Sequence, residues 1–333
     1  MKPKSIGVLM GGISAEREIS LRSGMAVAKA LKKLGFHVTC FDVRDKTIEE
    51  LDVAQLDLVF VALHGYFGED GGVQHLLELK GIPYTGSGIR ASRLAMDKSA
   101  AKKCFVQIGL STPDYRMVRD CQKFKEITSE VNELGLPIVL KPTGAGSSLG
   151  VSIIKNIDEL KTGLEKAFEY GTEVLIEKYI SGREFTVGIL GGEALPIIEI
   201  IPTKGFFNYN AKYEDGGVNH CMVQNSGKES SHGDSSCLGK GTLSHSKYNE
   251  AQELALRAHR VLECRDFSRV DMLMDNKDNF SILEVNTIPG FTEKSLLPLA
   301  AKAANISFLS LCKKIVDLAL QNSFVKMNES AKK

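Results

Sequence analysis

Between Ser268 and Gly290 the chain carries two alternating apolar and polar runs, Ser268 to Met274 and Phe280 to Asn286, around the polar segment Asp275 to Asn279. That pattern is the signature of a β-hairpin. With Asn276 to Asn279 as the loop, Asp275 faces Phe280, and counting back along both strands sets Asp271 opposite Glu284 and Arg269 opposite Asn286. Side chains alternate faces, so these four polar groups share one face, while Val270, Met272, Leu283 and Val285 share the other. Two facing carboxylates repel unless a cation lies between them. Asp, Glu and Asn oxygens suit a hard Mg²⁺ ion, which keeps waters and takes substrate phosphates as further ligands. Arg269 adds a fixed charge for phosphate or for a developing oxyanion. The alternative is a solvated polar face on an edge hairpin. Against it stands the turn Asn286-Thr287-Ile288-Pro289-Gly290 directly after the strand, which implies a close backbone approach.

The chain around the hairpin is large enough for two or three domains: 333 residues, 43% hydrophobic and 25% charged. A net charge of +1 makes no electrostatic case for nucleic acid or a membrane surface as partner. The seven cysteines are scattered and include no Cys-x-x-Cys, which indicates neither a zinc finger nor a disulfide framework and fits reduced thiols in a cytosol. The amino terminus lacks a signal-peptide apolar region and no long apolar run follows, so a soluble, cytoplasmic protein is expected.

Strand, helix and strand alternate over roughly the first ninety residues, predicting a helix-covered parallel sheet with ligands at its carboxyl strand ends. The strands are Ile6 to Met10, Phe36 to Val43, Leu58 to Leu63 and Ile82 to Thr85; Ser14 is the expected N-cap of the first helix. At those strand ends stand Glu16, His64 and the run Gly68-Glu69-Asp70-Gly71. Glu16 in a first helical turn reads equally as a capping acid, and His64 as a structural histidine. The run Gly86 to Ala91 superficially matches a dinucleotide fingerprint, but it comes several strands too late and Ser111 stands where an acid belongs.

A second unit opens with a helix near Met96. The glycine-rich loop Thr143 to Gly150, preceded by Lys141, can cradle phosphate with backbone N–H groups or serve as a plain hairpin turn. The strand Val174 to Ile180 carries Glu177, a plausible adenine or ribose acceptor. Beyond Gly182, Glu184 to Leu190 and Ala194 to Ile201 predict an antiparallel pair, His220 to Lys247 a mobile polar loop, and Leu296 to Leu320 a carboxyl-terminal helix before a frayed tail.

Taken in order, Gly11 to Leu21, Ala62 to Gly65, Tyr84 to Gly88, Met96-Asp97-Lys98, Leu140 to Pro142, Gly146 to Gly150, Ala211 to Tyr213, Arg269 to Asp271 and Glu284 to Gly290 closely resemble the D-alanine–D-alanine ligase family, ATP-grasp enzymes of peptidoglycan synthesis. The resemblance implies an α/β fold, α+β in its carboxyl-terminal part, with a Rossmann-like parallel sheet in the first of three domains. Those domains are residues 1–95, which bind substrate, 96–181, and 182–325, which carries the hairpin; 326–333 form a tail. It implies ATP as co-substrate between the second and third domains, two Mg²⁺ ions (Mn²⁺ substituting) on Asp271, Glu284 and Asn286, and D-alanine as the other partner of a homodimer. Lys98 and Lys141 then meet the phosphates, Ser147 and Ser148 close over them, and Glu177 and Glu184 take adenine and ribose. Lys178, Tyr179, Ile180 and Lys212 complete the ATP contacts.

By the same resemblance Glu16 holds the first D-alanine's ammonium in a triad with Ser147 and Tyr213. His64 and Arg269 line that subsite, Arg269 and the Gly290 N–H hold the tetrahedral oxyanion, and Ser295 receives the second carboxylate. Tyr213 favours D-alanine over D-lactate as second substrate. Two departures are expected to matter: His220 to Lys247 is longer than the family's usual segment, and Ala145 replaces a common acid. Another ATP-grasp carboxylate–amine ligase and a non-catalytic nucleotide-binding regulator are the rival readings; Glu16, Ser147 and Tyr213 weigh against the first, the intact hairpin set against the second.

Overall fold

The amino-terminal apolar runs form a parallel sheet of β1 (Ser5–Gly11), β2 (His37–Val43) and β3 (Leu58–Val61) in the order β2-β1-β3. This is a computed structural model, and it describes residues 5–45, 55–143, 149–202, 218–225 and 241–330. Ile6, Val8, Leu9, Val59 and Phe60 are fully buried, as expected of strands covered on both faces. The strand expected at Ile82 to Thr85 reduces to one parallel bridge between Val59 and Tyr84. Helix α1 (Arg17–Lys33) starts later than the sequence suggests: Glu16 is its N-cap, and Ser14 Oγ accepts the Glu16 N–H from outside the helix. Two short helices follow, α2 (Gly72–Leu79) and α3 (Ile89–Met96).

Helix α4 (Lys98–Gln107) has Asp97 as N-cap, its carboxylate accepting the Ser99 and Ala100 N–H groups. Next come β4 (Tyr115–Arg119), α5 (Phe124–Leu134), β5 (Ile138–Pro142), β6 (Ser152–Ile154), α6 (Leu160–Phe168) and β7 (Glu173–Lys178). The strands form an antiparallel sheet, β4-β7-β5-β6, over a core that includes Val118, Val131, Leu140, Leu164 and Ile176. Ala101 and Phe105 of α4 pack into the next core instead, so the expected boundary at residue 96 does not coincide with a change of apolar core.

That next core lies against the sheet of β8 (Gly182–Leu190), β9 (Glu193–Ala194), β10 (Ile198–Pro202), β11 (Val218–Met222), β14 (Phe267–Asp275) and β15 (Phe280–Asn286). Its order is β11-β10-β8-β14-β15, with β9 on β8. A two-stranded pair, β12 (Gln224–Asn225) and β13 (Thr242–Leu243), and α7 (His245–Val261) precede the hairpin. Both ends of the segment expected as a loop, His220 to Lys247, are therefore regular structure; residues 226–240 between them lie outside the described residues.

The expected carboxyl-terminal helix is two, α8 (Leu296–Ala303) and α9 (Phe308–Ser330), separated at Asn305, whose φ is 60°. Helix α9 runs into the residues expected as a tail. Leu311, Ile315 and Val316 of α9 pack with Ile6 and Leu9 in one apolar cluster, so the end of the chain closes over the first sheet.

The hairpin holds Arg269 opposite Asn286 and Asp271 opposite Glu284, as the sequence predicts. At the loop end it differs: Met274, not Asp275, pairs with Phe280, and the register shifts between Asp271 and Met272. The residue absorbed by this bulge is Leu283, so Ile282 rather than Leu283 joins Val270, Met272 and Val285 in the core.

Candidate active site

Arg269, Asp271, Glu284 and Asn286 gather on one face because their strands oppose them in register. Asp271 is 5% exposed and fully engaged. Arg269 Nε donates to its Oδ1 at 2.9 Å and Nη2 to its Oδ2 at 2.7 Å, a two-pronged pair. Thr186 Oγ1, across the sheet on β8, donates to Oδ1 at 2.6 Å, and Asn286 Nδ2 to Oδ2 at 3.2 Å. Glu284 is held by Lys98 from the start of α4, Nζ to Oε2 at 2.6 Å. Burial lowers the Lys98 pKa, but Glu284 and then Glu177 more than offset that, and the net shift is upward.

Among the described residues no three His, Cys, Asp or Glu side chains cluster as a ready metal site. The expected set has only two acids, with Asn286 as third ligand. Two carboxylates and an amide on one face still fit a hard divalent ion that completes its shell with water and phosphate oxygens. Arg269 and Lys98 supply the counter-charge to these acids.

A second acid, Glu177 near the end of β7, is 1% exposed and lies between two lysines. Lys102 Nζ stands 2.9 Å from Oε1 and Lys141 Nζ 2.5 Å from Oε2. Burial raises the Glu177 pKa; Lys141 and Lys102 together outweigh it and hold the group ionised. Lys178 donates its ammonium to the carbonyls of Gly135 and Leu136, at 2.8 and 3.4 Å, and so faces the end of α5. The backbone N–H groups of Lys178 and Tyr179 bond the carbonyls of Asp114 and Pro137. Tyr179 and Ile180 are half-buried beyond the strand end, and Glu184 lies on β8 opposite Ile200 and Leu273.

The third group stands at the end of the first sheet. His64 is 4% exposed, and both its ring nitrogens are used within the protein. Nδ1 donates to the Ile288 carbonyl at 3.0 Å, which fixes the tautomer, and Nε2 accepts from Ser23 Oγ at 3.2 Å. Ser23 Oγ accepts in turn from the Phe291 N–H at 3.1 Å. Burial lowers the His64 pKa, against the pull of Glu16 and the Ile288 carbonyl. Gly65 adopts φ 68°, and a Cβ there would stand 2.9 Å from the Glu16 carboxylate, so only glycine lets that acid approach the backbone so closely.

The sequence flagged Glu69 without giving it a role. Its Oε2 accepts the Gly65 N–H at 2.6 Å, and burial, then the nearby Glu16 charge, pushes it up to about 8. Arg269 also bears on Glu69 and His64, and Glu69 on Lys98, so the groups lie within electrostatic reach of one another.

After β15, Gly290 leaves room for Ser295: a Cβ at 290 would stand 2.8 Å from Ser295 Oγ. That oxygen accepts the Thr292 N–H at 3.1 Å and lies 2.8 Å from Thr292 Oγ1. The structure thus brings together Glu16, His64, Lys98, Lys141, Glu177, Arg269, Asp271, Glu284 and Asn286. Ser147, Ser148, Lys212 and Tyr213 lie outside the described residues. Lys102 and Thr186 went unnoticed in the sequence. The spacing of Lys102 from Lys98, four residues on the same helix face, was the available signal.

Two family descriptions match the chain: "D-ala D-ala ligase N-terminus" over residues 44–87 and "D-ala D-ala ligase C-terminus" over residues 104–317. The D-alanine–D-alanine ligase of Trichlorobacter lovleyi is 44% identical over 316 residues, 95% of each chain. That of Citrifermentans bemidjiense is 44% identical over 319 residues, 96% of this chain and 97% of its own. The crystal structure of the Bacillus anthracis D-alanine–D-alanine ligase complexed with ATP superposes with a TM-score of 0.82 at 34% identity, covering 98% of this chain and all of the other. No helix among the described residues is long and apolar enough to cross a membrane. With the ordered motifs, the polar face of the hairpin and full-length likeness in agreement, the chain belongs to the D-alanine–D-alanine ligase family.

Proposed function

We propose that the chain joins two D-alanine molecules into D-alanyl-D-alanine with ATP, for peptidoglycan precursor synthesis in the cytoplasm. What carries this reading is the convergence of Lys98 from α4 with Arg269, Asp271, Glu284 and Asn286 on one sheet face, in a family member.

A carboxylate oxygen is a poor leaving group and phosphate a good one, so the first carboxylate is activated before the amide forms. One of its oxygens attacks the γ-phosphorus, the bond to ADP breaks, and an acyl phosphate results. The second amine then attacks the acyl carbon, phosphate departs with the electron pair of its C–O bond, and the nitrogen loses its proton. Positioning and charge neutralisation do most of the work.

Glu16 takes the first D-alanine's ammonium in the proposed triad with Ser147 and Tyr213. Lys98 and Lys141 meet the phosphates under Ser147 and Ser148, with Lys212 alongside. Arg269 and the Gly290 N–H receive the tetrahedral oxyanion, and Ser295 the second carboxylate. Glu177 accepts from the adenine amine, Glu184 from the ribose, and Lys178, Tyr179 and Ile180 frame the base. Asp271, Glu284 and Asn286 would hold two Mg²⁺ ions, with Mn²⁺ able to substitute, and these when bound would supply positive charge to the phosphate oxygens. His64 acts by holding the turn through Ile288. The three domains proposed from sequence, residues 1–95, 96–181 and 182–325, provide the walls of the cleft, and the protein works as a homodimer.

The test is ADP release from ATP and Mg²⁺ with and without D-alanine, with the product weighed by mass spectrometry. D-alanine-dependent ADP and the dipeptide are expected, and chelation should abolish both until Mg²⁺ or Mn²⁺ is returned. ADP release indifferent to D-alanine would sink the proposal. Given D-lactate as well, the enzyme should still make more dipeptide than ester at neutral pH; an excess of ester would overturn the role given to Tyr213.

A further inference from the structure

One carboxylate needs one counter-charge, yet Glu177 is given two, and the two lysines are differently held. Lys141 is the penultimate residue of β5, two residues before the glycine-rich loop, and its side chain keeps 17% of its surface exposed. It can turn toward a triphosphate. Lys102 cannot follow. It is wholly buried, its ammonium donates to Thr112 Oγ1 at 2.5 Å and to the Pro113 carbonyl at 3.5 Å, and its Nζ stands 5.4 Å from the centre of the Tyr115 ring. Thr112 Oγ1 donates onward to the Ile282 carbonyl of β15 at 2.8 Å. Lys102 is therefore anchored at the seam between the central sheet and the hairpin.

Such an anchorage is costly, because a buried ammonium loses its water. Burial pushes Lys102 down to about 8, against the pull of Glu177; Lys141 and Lys98 are the other charges that bear on it. The fold keeps this burdened lysine next to an acid already paired with another, which makes sense only if the other pairing is not permanent.

Resting on the reading of Glu177 as acceptor for the adenine amine, we propose that Lys102 is a positioning residue for base selection: it keeps Glu177 ionised and aimed when Lys141 leaves for the phosphates. A buried carboxylate stripped of both lysines takes up a proton. Its O–H would then meet the N–H of the adenine amine, two donors face to face, whereas the 6-carbonyl of hypoxanthine would welcome it. Lys102 thus holds the preference for ATP over ITP without touching either nucleotide.

The test compares kcat/KM for ATP and for ITP, with D-alanine present, in the wild type, K102M, T112V and E177Q. K102M is expected to lower the ATP/ITP ratio at least about tenfold, through a raised KM for ATP with kcat nearly kept, since the buried ion pair at 2.9 Å is at stake. T112V, which removes only one tether of the ammonium, should lower the ratio about threefold. E177Q should collapse it. A folded K102M with the wild-type ratio, beside an E177Q that loses it, overturns the proposal and leaves the adenine site standing. An E177Q with the wild-type ratio removes the adenine reading and this proposal with it. Should K102M fail to fold, T112V decides, and an unchanged ratio there overturns the role of Lys102.

Discussion

Replacing His64 with alanine distinguishes a histidine that touches substrate from one that holds the wall behind it. The side chain is 4% exposed and satisfies two buried groups, the Ile288 carbonyl and the Ser23 hydroxyl. Each loses its partner in the variant, at about 1–3 kcal/mol per buried unsatisfied group. Ser23 keeps the Phe291 N–H, so its share is at the low end, and the sum is about 3 kcal/mol. Asparagine in the same place can still donate to Ile288 and should recover about half of the loss. The turn released by the change carries Gly290, so kcat/KM should fall about 10- to 100-fold, as misplaced reacting groups cause. Urea unfolding and steady-state kinetics on His64→Ala and His64→Asn read both quantities. Stability and activity are expected to fall and recover together. If His64→Ala is as stable as the wild type while KM for D-alanine rises about a hundredfold, the histidine is a substrate ligand and the reasoning from its two occupied nitrogens is wrong.

Asp271→Asn leaves Arg269 facing an amide, and should cost about 3 kcal/mol of stability and at least about a hundredfold in kcat; urea unfolding with ADP-release kinetics would show it, and activity within tenfold of wild type, by contrast, would end the phosphate-platform reading. His259, bonded to Ser268 Oγ at 2.7 Å, is pushed down to about 4 by burial, then by Arg260. The unfolded chain therefore binds a proton there between about pH 6.5 and 4 that the fold refuses, so stability falls with acidification across that window, by at most about 3 kcal/mol. His259→Gln should flatten that slope in unfolding midpoints measured from pH 4.5 to 7, and an unchanged slope would assign it to other groups. Phe291 meets Phe60 and Phe267 edge-on, each at 5.3 Å between ring centres, and so joins the first sheet to β14. Phe291→Ala should cost about 3–5 kcal/mol in chemical unfolding; a loss below about 1 kcal/mol would mean this joint is not what holds the two sheets.

The hairpin shows how far the alternation of residues can be read. Its site end was legible, because Arg269, Asp271, Glu284 and Asn286 sit at their expected pairs. The loop end was not, since a count that assumes one unbroken period cannot contain a bulge. Yet the sign was present: Phe280 and Ile282 keep one phase, Leu283 and Val285 the other, and the adjacent pair Ile282-Leu283 is where the phase changes. A regular strand that buries Phe280 and Ile282 would also turn Glu284 and Asn286 into the core. The bulge at Leu283 reverses the phase and brings both to the site, while Val285 returns to the core. The single carboxyl-terminal helix that the sequence predicts divides in two for a related reason: periodicity continues through Asn305 although the backbone there is left-handed.

What the sequence could not display were groups whose meaning comes from a distant partner. Lys98 was legible because it belongs to a recognised motif; Lys102, one turn on, reads as an ordinary helix lysine until Glu177 and Thr112 are seen around it. Glu69 looks like a solvated loop acid until the Gly65 N–H and Glu16 enclose it. In both cases burial shifts the group's pKa, upward for Glu69 and downward for Lys102, and that burial comes from several elements at once rather than from any one strand. Two lysines on α4, four residues apart, reach two acids on two different sheets, Glu284 on the hairpin and Glu177 on β7. Moving α4 relative to either sheet would uncover one of those acids. The helix therefore ties the hairpin to the central sheet through two separate ion pairs, Lys98 with Glu284 and Lys102 with Glu177.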